Sequence, residues 1–121
     1  MLLVGAGWSP VELDDAGPYR WIRGAEARLM LPATPGAWRR LAITAFRADG
    51  GGAATIAVRV DGITLEPQPL QPGWQTYAWS LPPAIADTLG RPAELHVLVS
   101  GEAAAATRRV AVASLRVSDA N

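Results

Sequence analysis

The chain has 121 residues, of which half are apolar and 18% are charged, a composition that fits one folded domain with its own core. Eleven basic residues balance eleven acidic ones, so no net charge draws the chain toward nucleic acid or an anionic membrane. The absence of cysteine excludes disulfides, thiolate metal sites and a cysteine nucleophile.

Targeting segments are not expected in this chain. The opening residues 1–8 contain a short apolar run with no basic segment before it, unlike a signal peptide. No apolar run approaches the roughly 18 residues of a membrane span. We therefore expect no membrane insertion, and the compartment stays open.

Short alternating apolar runs, separated by Gly and Pro, dominate the sequence and are typical of an all-β fold. They predict strands near residues 2–8, 19–23, 26–32, 38–47, 54–60, 63–67, 74–81, 93–100 and 108–118. Only residues 82–90, which begin with two prolines and end in glycine, favour a short helical turn. We expect a single domain over residues 1–121: a two-sheet, jelly-roll-like antiparallel β-sandwich of about eight or nine strands.

Four strands alternate cleanly enough to assign their buried faces. The apolar sets are Leu41, Ile43 and Ala45; Ile56, Val58 and Val60; Tyr77, Trp79 and Leu81; and Leu95, Val97 and Val99. Asp61-Gly62, between two β-branched runs, predicts a tight hairpin. The apolar parity changes within residues 110–117, which predicts a β-bulge near Ala113–Ser114.

The stretch "GWSPVELDDAGPYRW", residues 7–21, is too polar for a core strand and too aromatic for an ordinary loop. Because neighbouring strand residues face opposite ways, we expect Trp21 to be buried and Arg20 to reach outward. Glu12 can then return across the loop to pair with Arg20. This arrangement favours a plug that closes the sandwich over direct ligand contact.

Aromatic residues carry the clearest functional signal. Five tryptophans occur in the chain, and tryptophan serves both sugar stacking and core packing. Trp79 alternates with apolar neighbours and is expected in the core. Trp38 and Trp74 each begin a strand shortly after a Pro-Gly pair, where a tryptophan more often caps the end of a sandwich than binds a ligand. The candidate ligand-binding residues are Trp8, Glu12, Arg20, Trp38 and Trp74.

Catalysis finds little support in the sequence. His96 is the only histidine and alternates with apolar neighbours, which places it on the polar face of its strand. No nucleophile motif, paired metal ligands or phosphate-binding loop occurs. An enzyme would require a pocket in which His96 meets a carboxylate; otherwise we expect a non-catalytic protein.

The chain resembles the β-sandwich modules appended to bacterial membrane glycosyltransferases, which look like galactose-binding-type or carbohydrate-binding domains. The resemblance is carried by "GWSPVE" with "GPYRW", and by "AEARLMLP", "VRVDG" and "PGWQTYAWSLP". It departs from the family in residues 103–117. An acidic residue is often present there in the loop and an aromatic in the last strand, but this chain has Ala and Thr in the loop and Ser114-Leu115 in the strand.

Calcium is the ion that the resemblance implies, because many similar sugar-binding sandwiches hold a structural calcium. Glu12, Asp14 and Asp15 lie close in sequence and offer the hard oxygen ligands that calcium prefers, which makes them the candidate metal residues. A solvated acidic turn is the alternative.

Two functions remain open from the sequence. The first is a non-catalytic carbohydrate-binding module that assists an attached or associated glycosyltransferase. The second is a structural or protein-interaction β-sandwich without a sugar ligand, for which the balanced charge and many alanines would suit packing against a partner or a second copy.

Overall fold

The computed structural model describes residues 7–10, 12–14, 17–22, 26–31, 39–48, 54–60, 62–83, 93–101 and 110–118. These residues form ten strands: β1 (Glu12–Asp14), β2 (Gly17–Trp21), β3 (Glu26–Leu31), β4 (Arg40–Arg47), β5 (Ala54–Val60), β6 (Ile63–Thr64), β7 (Gln68–Pro69), β8 (Gly73–Ser80), β9 (Ala93–Gly101) and β10 (Val110–Ser118). No described segment is a helix long and apolar enough to cross a membrane.

The strands form two five-stranded antiparallel sheets. The first has the order β1-β2-β10-β4-β8. The second has the order β3-β9-β5, and both β6 and β7 pair with the free edge of β5. The predicted two-sheet antiparallel sandwich is confirmed, with ten described strands instead of eight or nine.

The additional strands arise at sheet edges. β1 was not predicted because it has no buried face: Leu13 is 77% exposed. The predicted strand at 63–67 ends after Thr64, and the chain pairs with β5 again at Gln68–Pro69. Of the predicted strand at 2–8 only Gly7 and Trp8 are described, and the predicted helical turn at 82–90 lies beyond the described residues after Pro83.

The core lies between the sheets and contains every apolar set assigned from alternation. The members of all four sets are buried: Leu41, Ile43, Ala45, Ile56, Val58, Val60, Tyr77, Trp79, Leu81, Leu95, Val97 and Val99. Since side chains alternate across a strand, the residues between them point away from the core. Each sheet therefore has an inner face and an outer face.

Two local predictions are confirmed. Val60 pairs directly with Ile63, so the chain reverses through a two-residue turn in which Gly62 has a φ of 81°. The register of β10 against β4 shifts between Val112 and Ser114, which is the expected β-bulge. Because of the bulge, Val112 and Leu115 both face the core although they are three residues apart. This explains why the apolar positions change from even to odd numbers within β10.

The opening stretch closes one end of the sandwich. Trp8 is buried in the core, bridges to Ile22 after β2, and donates its indole Nε1–H to the carbonyl of Arg28 on β3 at 2.9 Å. Ser9 is also buried and exchanges two hydrogen bonds with the Trp21 backbone, one through its Oγ, each at 2.9 Å. Residues 7–9 thus connect the two sheets.

The predicted Glu12–Arg20 pair is wrong. Glu12 lies directly opposite Tyr19 in the β1–β2 ladder, so its side chain is on the face opposite to that of Arg20. The Arg20 guanidinium instead donates to the carbonyl of Ser9 at 3.2 Å. The closure is made by a tryptophan and a serine that bind backbone groups.

This arrangement predicts that Ser9→Ala destabilises the fold more than Arg20→Ala does. Ser9 is buried, so its loss leaves the Trp21 amide without its acceptor, at a cost of about 1–3 kcal/mol. Arg20 is half-exposed and water can replace its one bond, so we expect about 1 kcal/mol or less. Urea denaturation midpoints of the two variants measure the difference; a larger loss at Arg20 would contradict it.

Candidate functional site

Four aromatic side chains gather on the outer face of the first sheet. Trp21 on β2 and Phe46 on β4 both pair with Ala111 of β10, and Phe46 also pairs with Trp74 of β8. One row of the ladder therefore carries three large rings above a single alanine. Tyr19, two residues before Trp21 on β2, is on the same face.

These four residues, the outer-face aromatic cluster, form a closed cycle of ring contacts. Tyr19 contacts Trp21 and Trp74 edge-on, with centroids 6.0 and 5.8 Å apart. Phe46 contacts Trp21 at 6.0 Å and Trp74 at 5.4 Å. Such tilted and perpendicular pairs are favoured by the ring quadrupoles, so the cluster orders its own rings.

The cluster covers Ala111 and leaves a depression between its rings. Ala111 is 0% exposed although it lies on the outer face, because the rings on either side close over it. The four aromatic residues, each half-buried, line a depression of about 260 Å³. This volume is just below the roughly 300–1,000 Å³ of typical small-molecule sites, so the depression suits a single ring-sized group.

Polar groups stand next to the cluster on the same face. Ser114, Thr44 and Thr76 lie in register across β10, β4 and β8, one row from the aromatic residues. The Thr44 and Thr76 hydroxyls are 3.1 Å apart and can each also bond a ligand hydroxyl. Glu12 shares the outer face through its pairing with Tyr19. An apolar ring platform therefore has hydroxyl and carboxylate groups at its margin.

Of the sequence-predicted ligand residues, the structure places Trp74 in the cluster and Glu12 beside it. Trp8 and Arg20 belong instead to the closure at residues 7–9, where the Trp8 ring is packed in the core. Trp38 lies outside the described residues. Trp74 and Glu12 are therefore the sequence-predicted residues that lie at the candidate binding site.

Sequence reasoning missed Tyr19, Trp21 and Phe46 as site residues. The sequence predicts that Trp21 is buried in the core, but Ile22 is buried instead. The side chains of this strand therefore face the opposite way from the predicted orientation. A usable signal was present in β4, where Phe46 follows Ala42 and Thr44 on the face opposite the core. A large aromatic side chain on the outer parity of a strand is the pattern that would have indicated the cluster.

The predicted calcium residues are only partly described. Glu12 and Asp14 lie in β1, and Asp15 lies outside the described residues. In the part of the chain that the structure describes, no three His, Cys, Asp or Glu residues gather as metal ligands would. The calcium site at Glu12, Asp14 and Asp15 stays a prediction.

His96 does meet carboxylates, on the outer face of the second sheet. Its Nδ1 contacts the Glu26 carboxylate, and its Nε2 lies 2.6 Å from Oε1 of Glu94. Arg59 bonds the same Glu26 oxygen at 3.1 Å. Both ring nitrogens of His96 thus contact carboxylates, and together with Arg59 these groups form an ion cluster.

This ion cluster predicts a small acid-dependent loss of stability. The hydrogen bond from His96, followed by the nearby charges of His96, Arg59 and Arg28, holds the pKa of Glu26 below its usual 4.5. A carboxyl whose pKa is lowered on folding stabilises the fold above its unfolded pKa, and this contribution is lost as pH falls through the folded pKa. Stability should therefore fall as pH drops below about 4.5.

The variant Glu26→Gln should show a smaller loss over the same pH range. The effect is small because the Glu26 side chain is 42% exposed and its pairs are screened. Urea midpoints at several pH values measure it, with Glu66→Gln as an exposed control. An identical pH profile for Glu26→Gln and the unmodified protein would contradict the assignment.

Two solved structures have a fold similar to that of this chain. The C-terminal domain of EclA, a sugar-binding protein, matches with a TM-score of 0.58 and 22% identity, covering 78% of this chain and 67% of that one. A family 35 carbohydrate-binding module from an environmental isolate matches with a TM-score of 0.61 and 17% identity, covering 98% of this chain and 93% of that one. No protein-family model and no curated protein matches. At these identities the shared property is the fold: the chain has the β-sandwich fold found in these two sugar-binding domains.

Proposed function

We propose that this protein is a non-catalytic carbohydrate-binding module whose ligand site is the outer-face aromatic cluster. The observation that carries the proposal is the depression lined by Tyr19, Trp21, Phe46 and Trp74 on a sandwich of this fold. The flat apolar faces of aromatic rings suit the C–H face of a pyranose, and the neighbouring hydroxyls of Thr44 and Thr76 suit its hydroxyl groups.

The remaining exposed apolar residues favour this proposal over a protein-interaction module. The large exposed hydrophobic residues in the described part are Leu13, Met30 and Ile63. They lie on β1, β3 and β6, at three different sheet edges, so they do not form the contiguous apolar patch that marks a protein interface. Within the described residues, the aromatic cluster is where large apolar side chains gather on an outer face.

The absence of catalysis is part of the proposal and is supported by the site chemistry. Within the described residues, the cluster brings no histidine or pair of carboxylates to the depression, and His96 is on the outer face of the other sheet. The resemblance to glycosyltransferase-appended modules supports a further proposal, that the module assists such an enzyme in the same chain or as a partner.

The test is binding to a broad glycan array followed by calorimetry on each hit, with and without calcium. We expect at least one polysaccharide to bind with a Kd between about 1 µM and 1 mM, the range of a site with one stacking platform. Calcium should strengthen binding or stability if Glu12, Asp14 and Asp15 hold the ion. No binding above millimolar affinity to any glycan, with or without calcium, would overturn the proposal.

A further inference from the structure

Two exposed arginines, Arg40 and Arg116, stand at the far end of the outer face that carries the aromatic cluster, and a third exposed arginine, Arg39, adjoins them just before β4. Arg40 on β4 pairs with Ser80 and Ser118, and Arg116 on β10 pairs with Ala42, next along the ladder. Arg39 immediately precedes Arg40 and is exposed as well. The ion pairs of the described residues involve none of the three.

On the outer face of the second sheet, by contrast, two carboxylates stand among the basic residues. There Arg59 and His96 are both in contact with carboxylates, from Glu26 and Glu94. Arg59 on that face has a carboxylate partner, whereas among the described residues Arg39, Arg40 and Arg116 have no ion-pair partner. Arginines without a carboxylate partner among the described residues give a local positive potential at this end of the sheet, even though the chain as a whole has no net charge.

A depression lies at this end of the sheet. It has a volume of about 260 Å³ and is lined by Arg39, Arg40, Ala78, Trp79 and Ser80. Guanidinium groups present planar forks of donors that match the oxygens of carboxylate, sulfate and phosphate. The Ser80 hydroxyl adds a further donor. The group that fits this lining is an oxyanion.

The two depressions lie along one ladder of two strands. Phe46 and Trp74 pair at one end, and Arg40 and Ser80 pair six residues further along, which is about 20 Å at the rise of a β-strand. Between them stand Ala42 with Ala78 and Thr44 with Thr76, all short side chains. This leaves a low floor on which an extended ligand can lie.

We propose that the ligand is an acidic polysaccharide that lies along β4 and β8, with a sugar ring at the aromatic cluster and an acid group at Arg39, Arg40 and Arg116. The inference rests on the proposed function, because it assigns a second contact to the same ligand. A polysaccharide is favoured over nucleic acid because the cations are confined to one end of the face instead of following a backbone.

The test compares matched acidic and neutral polymers. Calorimetry is run with polygalacturonate and its carboxyl-reduced neutral counterpart, and with dextran sulfate and dextran, so that carboxylate and sulfate are separated. Inorganic phosphate serves as a competitor, and polyglutamate serves as an acidic polymer without sugar. The variants are Arg40→Gln, Arg116→Gln and their double, with Arg28→Gln, an exposed arginine of the second sheet, as the matched control.

We expect at least one acidic polymer to bind more tightly than its neutral counterpart, and the double variant to lose about tenfold in affinity for it. Arg28→Gln and the neutral polymer should show no such loss, and added salt or phosphate should reduce the acidic preference. Equal binding of both members of each pair, unaffected by the arginine variants, would overturn this inference and leave the proposed function standing. Equal binding of polyglutamate would also overturn it, and no binding of any glycan would overturn both.

Discussion

Gly7→Ala is expected to destabilise the fold by about 2–5 kcal/mol, the largest stability effect that the structure predicts for a single methyl group. Gly7 has a φ of 90°, and a Cβ there would stand 2.5 Å from the Glu26 carbonyl oxygen and 2.8 Å from the Ala27 Cα. Both are backbone atoms of β3, which six register pairs hold against β9, so neither can move aside cheaply.

Gly62→Ala is the matched control for this experiment. Gly62 has a similar φ of 81°, but a Cβ there would meet nothing within 4 Å. The Gly62→Ala variant therefore measures only the free-energy cost of placing a side chain on a residue with positive φ, about 1–2 kcal/mol. Urea denaturation of both variants separates the two contributions. Equal losses at the two positions would mean that residues 7–9 do not close tightly against β3.

Trp74→Ala is expected to weaken glycan binding by about 10- to 100-fold, the effect of removing a central aromatic contact. Trp74 contacts both Tyr19 and Phe46, so its loss opens one side of the depression and releases two neighbours. Trp74→Phe should retain more of the affinity because it keeps an aromatic face on the same strand position.

The control for Trp74→Ala is Met30→Ala, which removes an exposed apolar side chain from the second sheet. It should leave the affinity unchanged. Calorimetry with the polysaccharide identified on the array measures all three variants, and circular dichroism confirms that each is folded. Unchanged affinity in folded Trp74→Ala protein would place the binding site elsewhere.

Much of the fold follows from side-chain alternation alone. The strands β4, β5, β8 and β9 each turn one face toward the core between the sheets. In these strands an apolar residue at every second position identifies both the strand and its buried face. The bulge in β10 is equally visible, because the apolar parity changes within one run. Edge strand β1 is not visible, since Leu13 has no buried face to mark it.

The site is harder to predict because it depends on which strands become neighbours. Trp21, Phe46 and Trp74 are far apart in the sequence and meet only because β2, β10, β4 and β8 are adjacent. The Glu12–Arg20 pair failed for a related reason. Sequence separation allowed the contact, but the register of β1 against β2 puts the two side chains on opposite faces.

The most direct test of the central claim uses the tryptophan indole N–H signals in a proton–nitrogen correlation spectrum. Trp8 is buried, and its indole group donates to the carbonyl of Arg28, whereas Trp21 and Trp74 line the outer-face depression. On titration with the polysaccharide identified on the array, we expect the signals of Trp21 and Trp74 to shift and the signal of Trp8 to stay unchanged. A shift of the Trp8 signal, without shifts of the Trp21 and Trp74 signals, would contradict the proposed site. Residues 7–9 would then be the binding site.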